Sequence, residues 1–504
     1  MFILEQLRHY ATTGRVAFRY GAETMTYAQL DARSDAFAAW LLDTLGDDRT
    51  PVVLYGHKEL SLPACMFGCI KAGRAYVPVD TTFPADRVAR ILEQVQPKVL
   101  VDLRGLGLAA PVVLDGAALD AILRRPAAPT PETWVKPEDV VYMLFTSGST
   151  GQPKGVQITA GNIAAFREGV APLLDLEGEG GVFLNEISYS FDVSVCALYY
   201  ALSRGMTLCT VDKDTLNQPK ALFAALAESG VDLWVSTPSL GEICCQSPKF
   251  DQALLPKARK FIFCGEVMTK KLGLQMLDRF PGAKIYNAYG PTETTVLVTA
   301  AEITRELCDR GPSLPIGYGF ANLECRIQDP ETGAILPDGQ AGELVILGDC
   351  VSPGYFRRPD LTEKSFFTEG TRRGYRTGDL CASHHGSIDY FGRLDGQVKL
   401  NGFRVELEDV EENLLKVPNI ARAAVLPETR DGTVQSLTAF VLLEAPDGLS
   451  SLQRARQIKT ALGQLLPSYM VPRKIVAVDR FPLNTNGKID KKALAAGLGE
   501  GATP

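Results

Sequence analysis

Ten consecutive residues, Thr146–Gly155, read TSGSTGQPKG and directly follow the apolar run Val140–Phe145. A strand that opens into glycines, serines and threonines exposes backbone N–H groups and hydroxyls together. Such a loop can wrap a polyphosphate, and Lys154 can neutralise part of its charge. It is not the GxxxxGK[ST] loop, because the one Gly-Lys pair in the chain, Gly487-Lys488, is followed by Ile489. Read alone, a Ser/Gly-rich loop is more often a plain connection. Two other segments carry unusual residue types: Cys264-Gly265-Glu266 and Ala288-Tyr289-Gly290-Pro291-Thr292-Glu293. Thr292-Glu293 alone would suit a helix start, where Thr acts as N-cap. Eleven cysteines are scattered without a CxxC pair, and with only four histidines none meets zinc-ligand spacing.

Strands and helices must position these residues, and the middle of the chain alternates between the two. Met206–Val211, Val231–Ser236, Lys260–Phe263 and Lys284–Asn287 read as strands. Pro219–Ser229 reads as a helix with Pro at its start. Thr269–Phe280 reads as a helix capped by Thr269, with Leu272, Met276 and Phe280 near one face. This alternation predicts an α/β fold with parallel sheet covered on both faces. Ligands in such sheets bind beyond the carboxyl ends of the strands, where both unusual segments fall. Beyond Gly317, short punctuated strands such as Gly342–Leu347 suggest a small antiparallel region. After Gly392–Gly396 the pattern changes again. Val398–Leu400, a helix over Glu406–Lys416, Ala423–Leu426, Gln435–Leu443, a helix near Leu452–Leu465 and Ile475–Val478 give a β-α-β-β-α-β order. The reading is a large N-terminal lobe, residues 1–394, and a small α+β C-terminal domain, residues 395–504.

Nine motifs occur in order: Lys71–Asp80 (KAGRAYVPVD), Thr146–Gly155, Tyr189–Val193 (YSFDV), Asn287–Glu293 (NAYGPTE), Gly342–Gly348 (GELVILG), Tyr375–Asp379 (YRTGD), Gly392–Glu406 (GRLDGQVKLNGFRVE), Leu466–Pro472 (LPSYMVP) and Asn484–Asp490 (NTNGKID). In these, and over nearly its whole length, the sequence resembles the adenylate-forming superfamily of acyl-CoA synthetases, luciferase and peptide-synthetase adenylation domains. The resemblance implies ATP and Mg²⁺ as cofactors. Thr146, Ser147, Gly148, Ser149, Thr150 and Lys154 would hold the β- and γ-phosphates and then the leaving pyrophosphate. Asn287, Ala288, Tyr289 and Gly290 would frame the adenine. Thr292 would bond the α-phosphate, and Glu293 would hold Mg²⁺, a hard cation that takes carboxylate and phosphate oxygens. Asp379, a two-oxygen acceptor, would take both ribose hydroxyls, with Arg393 beside it. Lys488 would be catalytic. One anion attacks another in the first step, and an ammonium between them offsets the repulsion in the transition state. Asp395 would be the hinge on which the C-terminal domain swings between adenylation and thioester formation.

Asp192 points to an amino acid as the acid activated, since amino-acid-activating relatives keep an Asp there for the substrate ammonium. A narrower resemblance, to ligases that load D-alanine onto a carrier protein for teichoic acid modification, is carried by Tyr55-Gly56-His57, Val77–Val88, Phe263–Val267, Thr294–Thr304 and Ser313–Tyr318. By that resemblance Cys264, Ala288 and Val296 would line a small pocket beside Asp192, with Lys488 reaching the substrate carboxylate. Cys264 reads as a packing residue rather than a nucleophile. The segments Asn185–Ser188 and Gly241–Ser247 depart from the wording of those ligases. Activation of another amino acid, as in peptide synthetases, and acyl- or aryl-CoA synthesis stay open as alternatives. Nothing after Asp490 resembles a phosphopantetheine attachment site, so the expected partner is a phosphopantetheinylated carrier protein in trans, or coenzyme A.

Composition limits the rest. A net charge of −7 argues against non-specific nucleic-acid binding. No run of about 18 uncharged apolar residues is found, so no membrane insertion is expected. Met1–Tyr10 reads as an amphipathic helix rather than a leader peptide. Unpaired thiols in a reducing cytosol, and a cytoplasmic monomer, complete the expectation.

Overall fold

The computed structural model describes residues 1–146, 153–311, 313–394, 397–400, 402–430, 433–482, 489 and 491–496. Ser147, Gly148, Ser149, Thr150, Asp395 and Lys488 lie outside them. The chain divides into two compact units. One comprises Met1–Thr81, Leu92–Phe145 and Lys154–Leu394; the other gathers Thr82–Ile91, Thr146–Pro153 and Asp395–Pro504.

Among the described residues, the first unit holds three sheets. A nine-stranded sheet runs in the order 318–319, 299–302, 284–289, 260–263, 233–236, 182–185, 207–210, 16–20, 23–26. Its centre is parallel and its edges are antiparallel. The predicted strands are present: Thr207–Thr210 and Leu233–Ser236 are shorter than expected, Lys260–Phe263 has the expected bounds, and Lys284–Tyr289 runs two residues further. The helices follow their local signals. Pro219 opens Pro219–Ser229, and Gly230 at φ 62° closes it in the left-handed conformation that glycine tolerates. Thr269 caps Lys270–Arg279, its Oγ1 accepting from Leu272 N at 3.1 Å. A seven-stranded sheet holds Val140–Thr146 and Lys154–Thr159 beside Tyr76–Asp80 and Val52–Gly56. The five-stranded antiparallel region contains Gly342–Gly348, Arg372–His384 and Ser387–Arg393.

The second unit corrects one expectation. Among the described residues its C-terminal part runs β-β-α-β-β-α-β-α, because Phe403–Glu406 is a strand that pairs antiparallel with Gln397–Leu400 and Lys491–Ala496 is a short helix. Leu400 and Val405 are buried while Val398 and Phe403 are partly so, an alternation too short to stand out in the sequence. The helix that follows, Leu407–Leu414, buries Leu407, Val410 and Leu414, and Val417 joins them just beyond its end. Among the described residues no helix is long and apolar enough to cross a membrane.

Candidate active site

The parallel strands 182–185, 233–236, 260–263 and 284–289 all point their carboxyl ends to one edge, and the candidate residues follow from there. Cys264 follows Phe263 directly, its N–H donating to Ser236 O at 3.0 Å. Glu266, two residues on, accepts from Ser239 N at 3.0 Å and Ser239 Oγ at 2.6 Å, tying two strand ends together. Asp192 sits in the connection after Asn185, just before a wide helical turn at Cys196–Ala201 of the kind enriched at functional sites.

After Tyr289 the chain makes a tight crossing. Thr292–Thr294 forms one 3₁₀ turn, not the start of a longer helix. Thr295 and Val296 then adopt φ of 61° and 76°. Both are β-branched, for which this region is a strained outlier that surrounding structure must hold. Thr295 Oγ1 donates to Cys350 O at 2.7 Å and supplies part of that restraint. The return path passes so close to Gly290 that a Cβ there would stand 2.3 Å from Val296 O. Gly290 is thus required by the backbone crossing itself.

This crossing brings Thr292 to Asp192. The threonine Oγ1 donates to Asp192 Oδ2 at 2.6 Å, and both residues are half-buried. Cys264, Ala288 and Val296 are each buried. Cys196 lies close enough to Cys264 and Asp192 to sense both electrostatically, and burial pushes its thiol well above the ordinary range. No disulfide forms among the described cysteines, and all but Cys325 are buried.

Glu293 is fully shielded from water. Its Oε1 accepts from the Tyr355 hydroxyl at 2.7 Å and stands 4.0 Å from Lys154 Nζ. The same ammonium lies 5.0 Å from the Tyr355 ring centre. Lys154 and Glu293 therefore meet although 139 positions separate them in sequence (293 − 154). Thr146 ends its strand with a buried Oγ1 that has no hydrogen-bond partner among the described residues.

Asp379 is nearly fully buried at the end of a short chain of bonds. Tyr289 OH donates to its Oδ2, and Arg393 Nη1 donates to its Oδ1 at 3.0 Å. Arg393 Nη1 also donates to Thr377 O at 2.8 Å, and Asp379 N donates to Thr377 Oγ1 at 3.0 Å. Burial, with the Asp379 charge beside it, raises the Tyr289 phenol, so it stays a donor. Asn287 Nδ2 donates to Pro315 O at 2.8 Å, joining its strand to a neighbouring loop.

The structure thus joins Asp192 to Thr292, Glu293 to Lys154, and Asp379 to both Tyr289 and Arg393. Sequence reasoning passed over Tyr355, Cys196 and Thr377. Cys196, four residues beyond Asp192, and Thr377, two residues before Asp379 in the same motif, carried usable spacing signals; Tyr355 is defined only by tertiary contact.

Among the described residues no group of three or more His, Cys, Asp or Glu could form a protein-only metal cage. One buried carboxylate beside a lysine suits a cation held mainly by substrate phosphates, the usual mode for Mg²⁺.

Residues 6–356 match the family described as AMP-binding enzyme, and residues 409–488 match the AMP-binding enzyme C-terminal domain. The D-alanine–D-alanyl carrier protein ligase of Listeria innocua is 40% identical over 484 residues, which is 95% of each chain. The ligase of that name from Bacillus thuringiensis is 40% identical over 501 residues, 98% of this chain and 99% of its own. Among solved structures, the Vibrio cholerae adenylation domain AlmE, in complex with glycyl-adenosine-5'-phosphate, aligns with a TM-score of 0.81. It is 22% identical, and the alignment covers 99% of this chain and 97% of that one, a likeness of fold.

Proposed function

The chain belongs to the AMP-binding enzyme family, and from that premise we propose that it activates D-alanine with ATP and passes it to a separate carrier protein. In the first step a carboxylate oxygen of the amino acid attacks the α-phosphorus. The bond to the β-phosphate breaks, pyrophosphate leaves, and aminoacyl-AMP remains. In the second step the phosphopantetheine thiolate of the carrier attacks the acyl carbon and AMP leaves. The observation that carries this reading is the 2.6 Å bond between Thr292 and Asp192. It sets the group expected at the α-phosphate directly against the group expected at the amino-acid ammonium.

In this reading Thr146, Ser147, Gly148, Ser149, Thr150 and Lys154 hold the phosphates. Lys154 neutralises the leaving pyrophosphate. Glu293 and the phosphate oxygens hold Mg²⁺, which when bound supplies neutralisation of phosphate charge. Asn287, Ala288, Tyr289 and Gly290 border the adenine, while Asp379 and Arg393 take the ribose. Asp192 pairs with the ammonium, an arrangement that discriminates against plain fatty acids. Cys264, Ala288 and Val296 close the space beyond it, which favours a methyl side chain. Lys488 bridges the two anions of the first step and withdraws for the second, turning on Asp395 between domains 1–394 and 395–504. The name shared by the two relatives at 40% identity supports both the substrate and the acceptor. The protein acts in the cytoplasm as a monomer.

Exchange of radiolabelled pyrophosphate into ATP, run over D- and L-amino acids, fatty acids and aryl acids, tests the proposal. D-Alanine is expected to give the highest rate, followed by acyl transfer to a phosphopantetheinylated carrier protein. Exchange with fatty or aryl acids and none with any amino acid would overturn it.

A further inference from the structure

Lys58 lies between strand Val52–Gly56 and helix Ser61–Lys71, yet it is only 1% exposed. Lysine is almost never buried to this degree without a reason. Its Nζ donates to Asn185 Oδ1 at 3.0 Å and to Ile187 O at 2.5 Å, and lies 4.2 Å from the Tyr189 ring centre. An ammonium has three protons and no acceptor, so two oxygens and one π face use it fully. All three contacts fall on one stretch, 185–189, which leads straight into Asp192.

Neighbouring groups hold the same stretch from the same side. Ser188 Oγ donates to Asp80 Oδ2 at 2.6 Å, where His57 Nδ1 also stands at 2.7 Å. Ser190 Oγ donates to Pro78 O at 3.1 Å. Asn185 Nδ2 donates to Tyr189 OH at 3.2 Å and Thr210 Oγ1 at 3.1 Å. Glu186, only 9% exposed, supplies an opposite charge, and its Oε1 has no hydrogen-bond partner among the described residues. A buried ammonium near a buried carboxylate with one oxygen unsatisfied is poor value for stability alone.

We propose that Lys58 is a positioning residue for amino-acid activation: its buried ammonium fixes segment 185–189 and so aims the Asp192 carboxylate at the substrate ammonium. Lys58 touches no substrate in this scheme. The inference rests on the proposed role of Asp192, and the test separates the two.

The test compares pyrophosphate exchange driven by alanine with exchange driven by propionate, which lacks the ammonium. The ratio of the two kcat/KM values, taken on one preparation, cancels any loss of folded enzyme. Lys58→Met alone would strand the Glu186 charge, so Lys58→Met is combined with Glu186→Gln, which removes both charges together. The double variant is expected to lower the alanine-to-propionate ratio about ten-fold, through KM for alanine, with KM for ATP unchanged. Glu186→Gln alone, which keeps all three Lys58 contacts, is expected to hold the ratio. Tyr189→Leu, which removes the ring over the ammonium together with the hydroxyl that accepts from Asn185, should lower it in the same direction and decides the matter if the double variant does not fold. A constant ratio overturns the proposal for Lys58. A wild-type enzyme that shows no preference for alanine over propionate instead overturns the role of Asp192.

Discussion

Thr292 has one hydroxyl proton and two claims on it. In the structure that proton goes to Asp192 Oδ2 across 2.6 Å. In the proposed reaction it is needed at the α-phosphate, and one O–H cannot serve both acceptors fully. Under that proposal the arriving substrate ammonium brings its own donors to Asp192 and releases the threonine. Thr292→Val keeps the shape and removes the proton. A hydrogen bond to a charged partner contributes about 1.5–3 kcal/mol, so kcat/KM for exchange should fall roughly ten- to 150-fold. Both residues are half-buried, which favours the lower part of that range. Amino-acid binding without ATP should not weaken, because the variant frees Asp192 of a competitor. Calorimetry on the amino acid alone, beside exchange kinetics, reads both quantities. If amino-acid affinity drops by the same factor as turnover, the hydroxyl merely props up Asp192, and the two-acceptor reasoning is wrong.

Lys488→Ala should abolish adenylate formation yet spare thioester formation from supplied adenylate; equal loss of both half-reactions in a paired assay counts against the withdrawing lysine. Val296→Gly should change stability little. Releasing a left-handed Val gains about 1–2 kcal/mol, while losing its buried side chain costs about 1.5–3 kcal/mol. The same variant should admit D-2-aminobutyrate and D-valine in exchange assays; a loss of more than about 4 kcal/mol in denaturant titration, or no new substrate, refutes that ledger. The Lys58–Glu186 pair makes stability depend on pH. Burial raises Glu186 to about 7, so its contribution is full below the ordinary carboxylate pKa and is lost as pH rises through 7. Burial lowers Lys58 to about 7, so its contribution is full above the ordinary lysine pKa and is lost as pH falls through 7. The stability of the combined Lys58→Met and Glu186→Gln variant relative to wild type should therefore peak near pH 7 and fall on either side, read by chemical denaturation across pH.

Local signals made much of this molecule legible. Proline at a helix start, threonine caps and apolar runs before glycine act over a few residues, and the elements they announced are present. The strand Phe403–Glu406 escaped because four residues give too few alternations to separate a hairpin from the helix that follows. In the candidate site, the strings Thr146–Gly155 and Tyr289–Glu293 were visible because each is contiguous. The links between them were not. Thr292 and Asp192 lie 100 residues apart, and Tyr355 and Glu293 lie 62 apart. Lys58 is the sharpest case, since a lone lysine after Tyr-Gly-His looks like any surface lysine. Only the folded chain shows its ammonium closed off from water.

Arg393 and Leu394 are the last residues of the first unit, and both are tied down. Arg393 grips Asp379 and the Thr377 carbonyl, while Leu394 N donates to Gly378 O at 2.8 Å. The last point at which the polypeptide leaves this unit is thus built from the very rung proposed to cradle a sugar. Under that proposal, extra residues spliced in ahead of Leu394 are expected to loosen the rung and weaken nucleotide binding. A splice just after it is expected to leave the rung and nucleotide binding intact.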